Sequence, residues 1–366
     1  MSLVETRIQN LLADSGMDKY EYRASRYGAL NAFLKQSDDP NGILSAEMKE
    51  KARSGIGSNL QTVVIDEDSS ISIGNARTLT IPDSENTSHF ITISFATYAW
   101  GFTVVPSLYM NNEVDIQKDF NKKMIKYLYK FASTLDQAAL AKLAAEKTQV
   151  IANPLLYDKT GNVINADWTE RENLLGDLNV IMEANDYYGK LDVVGDPGLS
   201  SILNKLRQHG PNNDINKNNE FDGKTFHFTN NMTAVNGKYA QGYAINEGSL
   251  GMLTQFEREC ILSTKARTGH EWDIVTLPFV GIPCGSYYYE SVGDFHTIAG
   301  TASADMDRVK KEHYGFAVNV AFVTNYNSDK TTKAQPILAF NVSSVDAVYG
   351  KPVQIVNPVL NTAVQP

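Results

Sequence analysis

From Glu113 to about Thr148, apolar residues recur every three or four positions: Ile116, Phe120, Met124, Leu128, Phe131, Leu135, Ala139 and Leu143. That period places all eight on one stripe of an α-helix. Asn111 or Asn112 can cap its start, and Glu113 and Asp115 suit the positive end of the helix dipole. Asn153 and Pro154 lie just beyond its end. Such a helix is about 50 Å long. That is long for a compact enzyme domain and suits a strut, so the rest of the chain must be arranged along a rod.

Before the rod, residues 1–58 read as an arm. Leu3, Ile8, Leu11 and Leu12 predict one short amphipathic helix, followed by turn-forming stretches around Pro40 and Gly57. Lysines and arginines balance aspartates and glutamates over the first 60 residues, so a basic tail that grips DNA is not expected. Residues 61–65 and 77–81 alternate as strands, 82–88 form a polar turn cluster, and 90–95 read as the returning strand. Together they predict a long β-hairpin. Two strands alone are marginal in water, so the hairpin should lean on something else, such as another subunit.

After the rod the pattern is α+β. Helices are expected over about 168–188 and 199–208, and strands at 190–194 and 224–228. The glycine-bearing segment 237–251 reads as turns at a sheet edge. Two strong strands, 316–323 and 336–342, are joined by a polar loop. No internal repeat is visible.

Chemistry is sparse. No phosphate-binding or dinucleotide glycine motif and no nucleophile elbow is present. His270 and Glu271 begin like a zinc-protease motif but lack the second histidine, and an exposed turn is the plainer expectation. The acidic run Asp66, Glu67, Asp68 reads as a solvated turn and not a catalytic pair. Tyr287 to Tyr289 read as sheet packing rather than a stacking platform. Cys260 and Cys284 are too few for a disulfide framework and are expected to be reduced and buried. A formal charge of −9 over 366 residues argues against sequence-reading of nucleic acid. No signal peptide, membrane span, cofactor or metal site is expected.

The order of arm, acidic hairpin, long helix, α+β lobe and two late strands resembles the tailed-phage major capsid fold of the Hong Kong 97 type. Single stretches look similar too. Phe102 to Pro106 leads into a helix carrying Leu135 to Leu143, like that family's passage from E-loop to spine helix. Leu178 to Ala184, Leu191 to Val194 and Leu199 to Leu206 look like the first helix, strand and helix of its A-domain, and Phe221 to Asn231 resembles the stretch after it. The resemblance implies an N-arm at 1–58, an E-loop hairpin at 59–105, and a P-domain with its spine helix at 106–150. An A-domain would span 151–305, with the P-domain return strands and C-terminal tail at 306–366.

By the same resemblance the chain is a structural protein and not an enzyme. It would assemble in the bacterial cytoplasm into pentamers and hexamers of an icosahedral head. The head would enclose double-stranded DNA without reading its sequence, and would meet a portal at one vertex and decoration proteins where they exist. Little room precedes the hairpin for a cleaved scaffolding segment, so a separate scaffolding protein is expected. An encapsulin-type nanocompartment shares the fold and is the nearest alternative; an α+β hydrolase is the remote one. Some relatives weld neighbours through an E-loop lysine and an asparagine. Residues 61–110 contain no lysine, and Arg77 is their only Lys/Arg residue. They carry Asp66, Glu67, Asp68, Asp83 and Glu85, while the first half of the helix carries Lys118, Lys122, Lys123, Lys126 and Lys130. The sequence therefore offers two readings: these are inter-subunit partners, or both are solvated faces.

Overall fold

The computed structural model describes residues 2–13, 25–40, 42–54, 62–66, 88–110, 112–152, 155, 157–209, 220–221, 223–262, 270–294, 308–326 and 329–344. The predicted rod is one continuous helix, Glu113–Glu146, 34 residues long. The Asn112 side chain caps it by accepting from the Val114 N–H at 3.0 Å, and all eight residues of the predicted stripe are buried. Among the described residues three helices precede it, α1 (Leu3–Leu12), α2 (Gly28–Ser37) and α3 (Ala46–Ser54), and the rod is α4. The fold is α+β.

The described residues form three sheets. The smallest is a two-stranded ribbon, β1 (Thr62–Asp66) antiparallel to β2 (Ser88–Thr92), which among the described residues pairs with neither of the others. The expected strand at 77–81 and turn at 82–88 lie outside the described residues, except that Ser88 opens β2.

A five-stranded antiparallel sheet packs along the rod. It contains β3 (Ala96–Val104), β10 (Leu250–Gln255), β11 (His270–Thr276), β12 (Pro283–Asp294) and β13 (Arg308–Thr324). Its inner face meets α4 through aromatic rings. Phe102 lies 5.4 Å from Phe120 and 5.5 Å from Tyr314, and Trp100 stacks on Phe316 at 4.2 Å.

A mixed seven-stranded sheet forms the second lobe, in the order β4 (Asp158–Thr160), β5 (Val163–Ala166), β14 (Ile337–Ser343), β9 (Lys238–Asn246), β6 (Leu191–Gly195), β8 (Lys224–Phe228) and β7 (Glu220–Phe221). Helices α5 (Arg171–Glu183) and α6 (Pro197–His209) cover it, with Leu174, Leu178, Ile181, Val193, Leu203, Phe226 and Phe340 in the shared core.

The arm contributes to the core: Val4, Ile8, Leu11, Leu30 and Phe33 are buried with the rod's apolar stripe. Two expectations need correction. Most of the segment 237–251 is no sheet edge, because β9 lies at the middle of the seven-stranded sheet; Leu250 and Gly251 open β10, which ends the strand order of the five-stranded one. Gly242 is needed there for close approach, since a Cβ would lie 2.7 Å from the Phe340 ring and 2.9 Å from the Val194 carbonyl. The two late strands fall in different sheets. β13 belongs to the five-stranded sheet, whereas β14 crosses into the seven-stranded one, parallel to β5 and antiparallel to β9. Finally, His270 and Glu271 open strand β11 rather than a turn.

Candidate assembly surfaces

Lys118, Lys122, Lys126 and Lys130 follow one another at four-residue intervals on α4, each about 6 Å along the rod from the last. All four are exposed, opposite the stripe that packs on the sheet. They are not equivalent. Lys118 pairs with Asp115 at 3.1 Å within the helix. Lys123, beside the row, pairs with Asp119 at 2.6 Å and donates to the Thr103 carbonyl at 2.8 Å, so it ties the rod to β3. Lys122, Lys126 and Lys130 make no ion pair among the described residues. Lys126 and Lys130 line a cleft of about 540 Å³ with Arg26, Ser133, Thr134 and Asn231. It offers cations and neutral hydrogen-bonding groups, and no carboxylate lines it.

Of the acidic candidates, Asp66 closes strand β1. Glu67, Asp68, Asp83 and Glu85 lie outside the described residues.

Two buried carboxylates were not among the sequence candidates, and both hold α2 in place. Asp136 of α4 accepts from the Leu30 N–H at 3.0 Å, Thr229 Oγ1 at 2.5 Å and Asn231 Nδ2 at 2.9 Å. Burial raises its pKa, and these donors oppose the rise without cancelling it. Asp192 of β6 accepts from Lys35 Nζ at 2.8 Å, Gln36 Nε2 at 2.7 Å and His227 Nε2 at 3.0 Å. Burial would raise that carboxyl too, but His227, Lys35 and Gln36 hold it below its ordinary value. Gln36 also accepts from the Leu250 N–H at 2.8 Å, so one side chain bridges β6 and β10 of the two large sheets. A faint signal was present: Asp136 interrupts a buried helical stripe, and Asp192 an apolar strand.

The three tyrosines divide between two faces. Tyr288 is buried against Tyr314, with its ring 5.3 Å away. Tyr287 and Tyr289 turn to the other face, where Tyr289 stacks on His313 at 4.3 Å and Tyr287 lies 4.8 Å from Trp272. Cys260 and Cys284 are free and buried. Burial pushes the Cys260 thiol up to about 11 and the Cys284 thiol up to about 12, so neither is a ready nucleophile. Among the described residues no cluster of histidine, cysteine, aspartate and glutamate could hold a metal ion. None of the described helices is long and apolar enough to cross a membrane.

No protein-family model matches the chain, and no curated protein matches it. Solved structures do. The chain is similar to one titled as the capsid of Ralstonia phage GP4, at 8% identity and TM-score 0.46, over 86% of this chain and 92% of that one. It is similar to a cyanophage P-SCSP1u capsid structure at 12% identity and TM-score 0.42, over 76% and 81%. A structure from Mycobacterium phage Che8 matches at 11% identity and TM-score 0.43, over 80% and 88%.

Proposed function

We propose that this chain is the major capsid protein of a tailed double-stranded DNA phage, a shell subunit that works by binding copies of itself. The observation that carries this reading is the ribbon of β1 and β2, which joins neither large sheet, set beside a 34-residue strut helix. Among the described residues the ribbon's strands pair only with each other, a marginal arrangement alone, although Ile91 packs on Leu44, Leu253, Ala321 and Val323; the strut exposes a lysine row along its free face. The order of elements agrees with the resemblance read from the sequence. Pentamers and hexamers would close into an icosahedral head in the bacterial cytoplasm. The acidic ribbon segment with Asp66, Glu67, Asp68, Asp83 and Glu85 would lie over a neighbour's Lys122, Lys126 and Lys130, with Lys118 and Lys123 at the margin. Portal, scaffolding and decoration proteins are the further partners of such a head, and packaged DNA would be held without sequence preference. Catalysis has no part in this reading.

The test is negative-stain microscopy and sedimentation of the expressed protein, alone and with its neighbouring gene products. Closed shells, or pentamers and hexamers, are expected. A chain that stays monomeric with its scaffold supplied would sink the reading.

A further inference from the structure

Strand β3 pairs with β13 along one side, and among the described residues nothing pairs with its other side. A free strand edge presents unpaired N–H and C=O groups, and proteins usually blunt it with charge, proline or a bulge. β3 reads Ala-Thr-Tyr-Ala-Trp-Gly-Phe-Thr-Val, without charge or proline, and its register with β13 is unbroken. Alongside lies a cleft of about 430 Å³, between Thr97–Gly101 and the α4 residues Tyr127, Lys130, Phe131 and Thr134. Its walls are aromatic: Trp100 stacks on Tyr127 at 5.8 Å, and Tyr98 meets Phe131 edge-on at 6.3 Å. The Trp100 indole N–H is buried and has no hydrogen-bond partner among the described residues. An open backbone edge beside an aromatic-walled trough is the geometry that accepts an added strand.

The same chain contains a segment of matching chemistry. Beyond Ser344, residues 345–366 carry only two charges, Asp346 and Lys351. Pro352 and Pro358 bracket the run Val353, Gln354, Ile355, Val356, Asn357. Such a β-branched, uncharged run is poorly suited to remain in water, and bracketing prolines are tolerated on an edge strand. Its five residues match the five of β3 that line the cleft. The ribbon is the poorer occupant, because its strands already satisfy each other and five carboxylates lie in its segment, whereas the cleft is lined mainly by aromatic rings and threonines with a single lysine.

We propose that Val353–Asn357 of a neighbouring copy adds as a strand to the free edge of β3 and places its aliphatic side chains in this cleft. The inference rests on the shell reading, since it needs a neighbour. Nine residues from Ser344 to Val353 reach about 30 Å at full extension. β14 ends in the seven-stranded sheet whereas β3 lies in the five-stranded one, and a neighbouring copy is taken as the donor, which mixed-label crosslinking tests directly.

The experiment is photo-crosslinking within assembled protein. A photoreactive phenylalanine analogue is installed at Ile355, and separately at Gln354 in case one face of the segment does not tolerate it. Particles are co-assembled from light and heavy-nitrogen-labelled chains, irradiated and mapped by mass spectrometry. Adducts joining light to heavy chains at Thr97–Gly101 or Tyr127–Thr134 are expected from at least one position. Adducts elsewhere, adducts confined to one chain, or none from either position overturn the docking. Microscopy of the same samples separates the two readings. Closed shells with misplaced adducts leave the shell reading standing, whereas mixed adducts in small oligomers that never close overturn the shell reading instead.

Discussion

Asp192 has a side chain only 1% exposed, yet three donors reach it, two of them from the α2 residues Lys35 and Gln36. Through Gln36 the same cluster reaches Leu250 on the other large sheet, so the carboxylate acts as a seam between lobes. The Lys35 side chain is 43% exposed, so water screens its share of the attraction; the buried bonds from Gln36 and His227 carry more. Asp192→Ala should lower the stability of the unassembled subunit by about 3 kcal/mol, read by urea unfolding, because hydrogen bonds to a buried charge are lost together. The pH dependence has a definite sign. Asp192 is held below its ordinary pKa in the folded state, so its stabilisation is present above the usual carboxylate range and disappears as pH falls below it. Asp136 is raised instead, so its contribution is full in acid and lost as pH rises through its elevated value. Wild type should therefore lose stability on acidification more steeply than Asp192→Ala. Equal acid slopes would mean that the cluster carries no ionised carboxylate.

At the scale of elements, the strut helix presents two faces with separate tasks. Its buried face is tested by Phe131→Asp, which places a carboxylate where the side chain is 5% exposed and beside the cleft next to β3. A loss of several kcal/mol and failure to assemble are expected, and normal soluble particles would show that this face does not bear on the sheet. The outer face is tested by Lys122→Glu with Lys126→Glu. Both lysines are exposed and without ion pairs among the described residues, so subunit unfolding should change by less than about 0.5 kcal/mol while particles loosen. Reversing Asp66 and Glu67 to lysine should then restore them. Each exposed pair adds only about 0–1 kcal/mol, but a shell repeats it at every contact, and added salt should mimic the double mutant. Particles indifferent to charge reversal would leave the row as a merely solvated face. The helix was legible in the sequence because eight stripe positions repeat over many turns. Helix α2 was not, because ten residues give too few repeats and its polar Lys35 and Gln36 hid contacts made to remote partners. The lysine row was legible as spacing, but the neutralisation of Lys118 and Lys123 by Asp115 and Asp119 needed the folded geometry. The crossing of β14 into the second lobe could not be read at all, since strand pairing is set by partners far along the chain: Asn341 aligns with Gln241 and Asn165.

For the whole molecule, the question is how a shell of such subunits would be held closed. An isopeptide weld from the ribbon region needs a lysine amine as nucleophile, and residues 61–110 contain none. Both cysteines are buried, with thiols pushed far above neutral pH, so disulfides between subunits are disfavoured as well. What would remain is non-covalent: the proposed charge pairing of ribbon and lysine row, the proposed strand addition in the cleft beside β3, and the core-packed arm helices that would keep each subunit rigid enough to repeat. Particles boiled in detergent without reductant should therefore run as a single band near 40.5 kDa, and so should particles aged for days after assembly. A ladder of higher bands that survives boiling and vanishes with reductant would place a disulfide between copies. A ladder that survives both would mean a covalent weld through a lysine outside the ribbon region, and the non-covalent account of the shell would have to be abandoned.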